Sequence, residues 1–142
     1  MKTNIVKLIN ELDILYQSNP ATLEEIKKAE NILGLKFADE YIQYVLAYGV
    51  VACEGIEFTG ITDVEEVSVI DVTLKEREYN DCVPHNMYVV ENTYMDGMII
   101  WQDEKGMIYI TMPQEKPEKV ANSLVEYIEI IISGKTEDSS LS

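Results

Sequence analysis

Met87-Tyr88-Val89-Val90-Glu91, Met98-Ile99-Ile100-Trp101-Gln102 and Met107-Ile108-Tyr109-Ile110-Thr111 are three short apolar runs. Asp96-Gly97 separates the first two, and Asp103-Glu104-Lys105-Gly106 separates the last two. Turn residues between β-branched and aromatic runs predict an antiparallel meander, with Trp101 on a strand of buried type. Upstream the period changes. Ile5, Leu8, Ile9, Leu12 and Leu15 recur at three- and four-residue steps, which predicts one helix ended by Asn19-Pro20. Thr22-Leu23-Glu24-Glu25 is a capping box that opens a second helix. Ile26, Ala29, Ile32 and Leu33 form its inward face, and Gly34 suits a left-handed C-cap. A third helix starts near Ala38-Asp39, turns Tyr41, Ile42, Val45 and Leu46 inward, and stops at Gly49.

Between these regions Gly55 to Ile61 alternates polar and apolar, a short strand. Residues 63–79 stay open. Val67, Val69, Ile70, Val72 and Thr73 suit a strand by propensity. Val67, Ile70 and Leu74 also fit a helix, and Lys75-Glu76-Arg77-Glu78 favours one in the second half. Pro113 to Lys119 reads as a loop. Val120 to Ser133 reads as a closing helix with Ala121, Leu124, Val125, Ile128, Ile131 and Ile132 inward. Gly134 is its expected cap, and the polar residues 134–142 are expected to form a disordered tail. The fold class is α+β: N-terminal helices, a central and mostly antiparallel sheet, and a C-terminal helix in one domain over residues 1–133.

Composition narrows the function classes. A chain of 142 residues with 46% hydrophobic and 26% charged side chains suits one globular domain. Lys and Arg total 11 against 26 Asp and Glu, a formal charge of −15. No five-residue window holds more than two bases, which argues against a nucleic-acid partner. Cationic partners complement such a field. Two cysteines, Cys53 and Cys82, are too few for a disulfide scaffold. Lys7, Asn10 and Glu11 interrupt any signal-peptide core, and no apolar run nears the ~20 residues of a membrane span. The expectation is a soluble cytoplasmic protein without a membrane partner.

Catalytic chemistry finds little support. His85 is the sole histidine, and Cys82-Val83-Pro84-His85 with Cys53 offers three ligands at a nonstandard spacing. No hydrolase signature surrounds Cys53. The glycines form no phosphate cradle, and Tyr94-Met95-Asp96-Gly97 lacks the ligand ladder of a calcium loop. Carboxylates are so numerous that no pair is informative. No enzyme, cofactor or metal is expected.

The acids themselves are distinctive. Glu54, Glu57, Asp63, Glu65, Glu66 and Asp71 follow one another with no base between them. Two readings fit: a solvated face, or a docking surface for a basic protein. Tyr79, Tyr88, Tyr94 and Tyr109 serve either as interface anchors or as half-buried wall residues.

The run from Ala21 to Gly49 resembles the SUKH superfamily, which includes the Smi/Knr cell-wall-assembly regulators and many bacterial immunity proteins. Its opening pattern is an acidic helix ending in E-x-x-L-G-x-x-L-P, then an aromatic-bearing helix ending in Y-G. Glu30, Leu33, Gly34, Phe37, Tyr41, Leu46, Tyr48 and Gly49 fit, while Ala38 replaces the usual proline. Phe58-Thr59-Gly60-Ile61 is similar to the family's glycine-ended strand. Val69 to Asn80, with Thr73 and Arg77, is similar to its V-x-x-x-T-x-x-x-R segment, which is helical in the family. The meander and residues 121–131 follow in the family's order.

The resemblance implies a non-enzymatic binding protein. Bacterial members typically sit beside a secreted or contact-delivered toxin and neutralise it in the producing cell's cytoplasm. Many such toxins are nucleases, whose grooves are basic because they hold phosphates. The expected partner is therefore a basic toxin domain. Candidate contacts, chosen by charge, are Glu54, Glu57, Asp63, Glu65, Glu66 and Asp71, with Tyr94 and Asp96 from the strand-turn region. The alternative is a regulatory scaffold with a housekeeping partner. An enzyme using Cys53 or Cys82 with His85 is a third reading.

Overall fold

The computed structural model describes residues 4–53 and 55–141, with side chains described through residue 134. Helix α1 (Ile5–Asn10) is capped by Asn4, whose carboxamide oxygen accepts from the Val6 and Lys7 amides. Strand β1 (Ile14–Gln17) follows. Helix α2 (Leu23–Leu33) carries the full capping box of Thr22 and Glu25 and ends on left-handed Gly34. Helix α3 (Asp39–Tyr48) leads into β2 (Val51–Cys53) and β3 (Ile56–Glu57). A short 3-10 helix (Glu65–Val67) precedes α4 (Val69–Tyr79). The meander is β4 (Met87–Asn92), β5 (Ile99–Asp103) and β6 (Ile108–Thr111), extended by β7 (Glu118–Ala121). Helix α5 (Leu124–Leu141) closes the chain. The fold is α+β.

Two antiparallel sheets result, in the orders β1-β2-β3 and β4-β5-β6-β7. The Thr59 amide bonds the Val90 carbonyl at 2.9 Å and joins them. The larger sheet is covered on both faces. Tyr88, Val90, Ile100 and Ile108 point into the main core with Ile9, Ile26, Tyr41, Tyr44, Val45, Leu124 and Ile128. Met87, Val89, Ile99 and Trp101 point the other way, against Val72 of α4 and Val83. Burial on both faces explains why these strands read as continuous apolar runs rather than alternating ones. Trp101 donates its indole N–H to Thr111 Oγ1 at 2.8 Å, so its burial leaves no polar group unpaired.

Several boundaries differ from the sequence reading. The first helix ends at Asn10, and the stretch holding Leu15 is β1, paired with Val51–Cys53. Leu12 still packs on the core, so the helical period continued past the helix itself. Leu15 is 72% exposed. Strand β2 was hidden because Val51 follows the helix stop at Gly49 almost at once. Strand β7 occupies the expected loop and the expected first turn of α5. Ser123 then caps α5, its Oγ accepting the Glu126 amide at 3.0 Å. Gly134 does not take a left-handed conformation, and the backbone of α5 passes through it. Glycine lowers helix propensity by ~1 kcal/mol but forces no stop. Residues 63–79 are not wholly helical: the 3-10 turn and the Ser68 cap precede α4. On α2 and α3, Ile32 and Leu46 face outward, whereas Tyr44 and Tyr48 are buried.

Candidate functional site

The acidic segment hangs from Gly60. The Gly60 amide donates to the Val67 carbonyl and the Val69 amide donates to the Gly60 carbonyl, both at 2.9 Å. These bonds pin residues 60–69 at both ends. Ser68 Oγ accepts the Asp71 amide and starts α4. Across from α4, the turn after β4 is fixed by Asn92 Oδ1, which accepts the Tyr94 amide at 2.9 Å. Thr93 Oγ1 accepts the Met95 amide at 3.2 Å. Tyr94 takes a φ of 57°, uncommon for a side-chain-bearing residue, and stays 66% exposed.

Between these walls lies a cleft of about 430 Å³ lined by Glu65, Glu66, Asp71, Val72, Lys75, Glu76, Asn92 and Tyr94. Four of the residues chosen from sequence thus converge: Glu65, Glu66, Asp71 and Tyr94. Glu57 lies in an adjoining cleft that shares Glu66. Asp63 and Asp96 are exposed but stand outside both clefts. Glu54 lies outside the described residues. Glu76, Lys75 and Asn92 were not singled out from sequence. A helix starting at Val69 places Asp71, Val72, Lys75 and Glu76 on one face, and that spacing was the signal for two of them. Of the other tyrosines, Tyr88 is fully buried, Tyr79 is exposed, and Tyr109 is between.

The cleft carries four carboxylates and one base. Among the described residues the ion pair within 4 Å is Lys36–Glu30, on another part of the molecule. Partial burial raises the Glu76 carboxyl above its usual range, with Lys75 opposing. Behind β3, burial also raises Glu91, opposed by the hydrogen bonds it accepts from the Tyr127 hydroxyl at 2.6 Å and the Glu57 amide at 3.3 Å.

The family model described as SUKH_5, SMI1-KNR4 cell-wall, matches residues 2–133. The chain belongs to the SUKH family. No curated protein matches it. SUKH domains are known from immunity proteins and from SMI1/KNR4 proteins, and the family is generally non-enzymatic. The family pattern has a visible geometry in this SUKH domain. Glu30 accepts the Phe37 amide at 2.8 Å and folds the linker back on α2. Ala38, in the place of the usual proline, donates its amide to the buried Tyr88 hydroxyl at 3.1 Å, a bond that proline could not make. The Ile61 amide reaches the Gly49 carbonyl at 3.2 Å, so the Y-G helix stop and the glycine-ended strand meet.

The cysteines do not assemble with His85. Cys53 is buried in β2, its thiol raised first by burial and then by Asp13. Cys82 and His85 are exposed after α4, where the His85 carbonyl accepts from Arg77 at 2.9 Å. Among the described residues no group of three or more His, Cys, Asp and Glu side chains is placed to hold a metal ion. No helix of the described residues is long and apolar enough to cross a membrane.

The raised carboxyls set a pH dependence. Burial, the largest cause in each, raises the Glu40, Glu76 and Glu91 carboxyls above the ordinary glutamate value of 4.5. The folded state therefore holds their protons more tightly than the unfolded chain. The stability this gives is fully present below 4.5 and is lost as pH rises through the folded values. Relief of self-repulsion acts in the same direction. Thermal melts should show a higher Tm at pH 5.5 than at pH 7.5. A Tm that rises from pH 5.5 to pH 7.5 contradicts the assignment.

Proposed function

We propose that this SUKH domain is an immunity protein that acts in the producing cell's cytoplasm and neutralises a basic toxin domain, a nuclease. The observation that carries the reading is the convergence of Glu65, Glu66, Asp71 and Glu76 beside exposed Tyr94 on one cleft with Lys75 as its base. A nuclease groove must present cations to phosphates. A cleft rimmed by unpaired carboxylates offers those cations an alternative partner, and the tyrosine adds a large amphipathic contact. Family membership supports binding rather than catalysis as the activity.

The test uses the toxin-like domain encoded directly beside this gene. Its purified nuclease activity should be abolished by an equimolar amount of this chain, and the two should co-elute at low salt. Undiminished activity at tenfold excess overturns the reading. A neighbourhood of housekeeping genes alone overturns it as well and favours a regulatory scaffold.

A further inference from the structure

The adjoining cleft is apolar where its neighbour is charged. Tyr16, Val50, Ala52, Val64 and Val67 line a space of about 310 Å³, completed by Glu57 and Glu66. Tyr16 and Val64 remain 52% and 48% exposed. Apolar side chains that share a cleft while still meeting water mark an interaction site more often than chance exposure does. Tyr16 sits on β1, which pairs with β2 on one side and forms the end of its sheet. The opposite wall is already built. The Val67 amide donates to the Val64 carbonyl at 3.1 Å, and the paired bonds of Gly60 hold the segment. A preformed wall needs little ordering when a partner arrives.

Charge selects the occupant. The lining contains Glu57 and Glu66 and no base. A second copy would bring another −15 against the same surface. Glu66 lines both clefts, so the apolar space adjoins the acidic one. We propose that this cleft seats one large apolar side chain of a basic protein, on a segment whose flanking lysines or arginines meet Glu57 and Glu66. The inference rests on the acidic face being the docking face, and it adds the anchor that fixes the register of the partner. Charge alone gives steering and a rim, whereas an apolar anchor in a pocket slows dissociation.

Two capped peptides test it on the full 15N-labelled chain. One carries two lysines on each side of a tryptophan, and the other has glycine in place of the tryptophan. The tryptophan peptide should shift the amide resonances of Tyr16, Ala52, Val64 and Val67 and bind at least ~10-fold more tightly than the glycine peptide. A glutamate-flanked tryptophan peptide should not bind. Val64→Asp, at an exposed position, should bring the tryptophan peptide down to the level of the glycine peptide while the Trp101 resonances stay in place. Equal affinity of the two lysine peptides, shifts confined elsewhere, or no binding overturns the proposal. So does a concentration-dependent dimer that Val64→Asp abolishes. The toxin reading is judged separately. Peptide seating without nuclease inhibition removes the toxin and keeps the cleft. Full-strength inhibition by the Val64→Asp variant removes the cleft and keeps the toxin.

Discussion

Gly60→Ala should cost about 3 kcal/mol or more of folding stability, among the largest losses any single methyl group could cause here. A Cβ on Gly60 would lie 1.8 Å from the Gly49 carbonyl oxygen, 2.8 Å from its carbon and 2.9 Å from Val50 Cγ2. The first two are backbone atoms, so no rotamer change relieves the overlap. The crossing also carries bonds: Gly60 joins Val67 and Val69, and Gly49 accepts from Ile61. Separating the two segments would strain all of these and loosen the acidic segment that hangs from Gly60. Gly34→Ala is the control. Gly34 has a φ of 70° but open space around its Cβ, so only the left-handed conformation is penalised, at ~1–2 kcal/mol. Urea titrations should show a much larger drop in midpoint for Gly60→Ala than for Gly34→Ala. Equal drops would mean that close approach is not why glycine stands at position 60.

The same contact shows what a sequence can and cannot reveal. The capping box at Thr22, the left-handed Gly34 and the Asp96-Gly97 turn are local devices, and each was legible where it stood. Strands β1 and β2 were not. Their identity depends on pairing Ile14 with Cys53 and Gln17 with Val51, across two helices. Local spacing at Leu12 and Leu15 pointed to a helix, and long-range pairing overrode it. Strand β7 was missed for a related reason. Glu118 and Lys119 are exposed and carry no apolar pattern, and the edge of the meander recruits them. The acidic cleft was half legible. Charge counting named Glu65, Glu66 and Asp71, which line it, but it could not decide that Asp63 and Asp96 stand outside that cleft or that Glu76 lines it. Those decisions depend on the phase of α4 against the turn at Tyr94. The Tyr16 cleft left no signal, because Tyr16 was assigned to no strand and its partners lie more than thirty residues away.

Replacing Glu65, Glu66 and Asp71 together by lysine should lower the association rate for the basic partner by ~10- to 100-fold and flatten its salt dependence. Three reversals add six charges and take the net from −15 to −9. None of the three side chains is ion-paired, so stability should change by no more than ~0.5 kcal/mol per site. Loss of binding then could not be blamed on unfolding. Net charge alone would also slow association, and a second triple separates the two causes. Glu11, Glu118 and Glu129 are exposed, lie outside both clefts, and give the same net of −9 when replaced by lysine. Long-range attraction treats the two triples alike beyond a Debye length of ~10 Å in 0.1 M salt. Contact with the cleft does not. Stopped-flow rates measured from low to moderate salt should fall far more for the cleft triple, and the difference should persist when salt screens the overall field. If both triples slow binding equally, and salt removes both effects, the chain attracts its partner by bulk charge and the cleft has no special part in holding it.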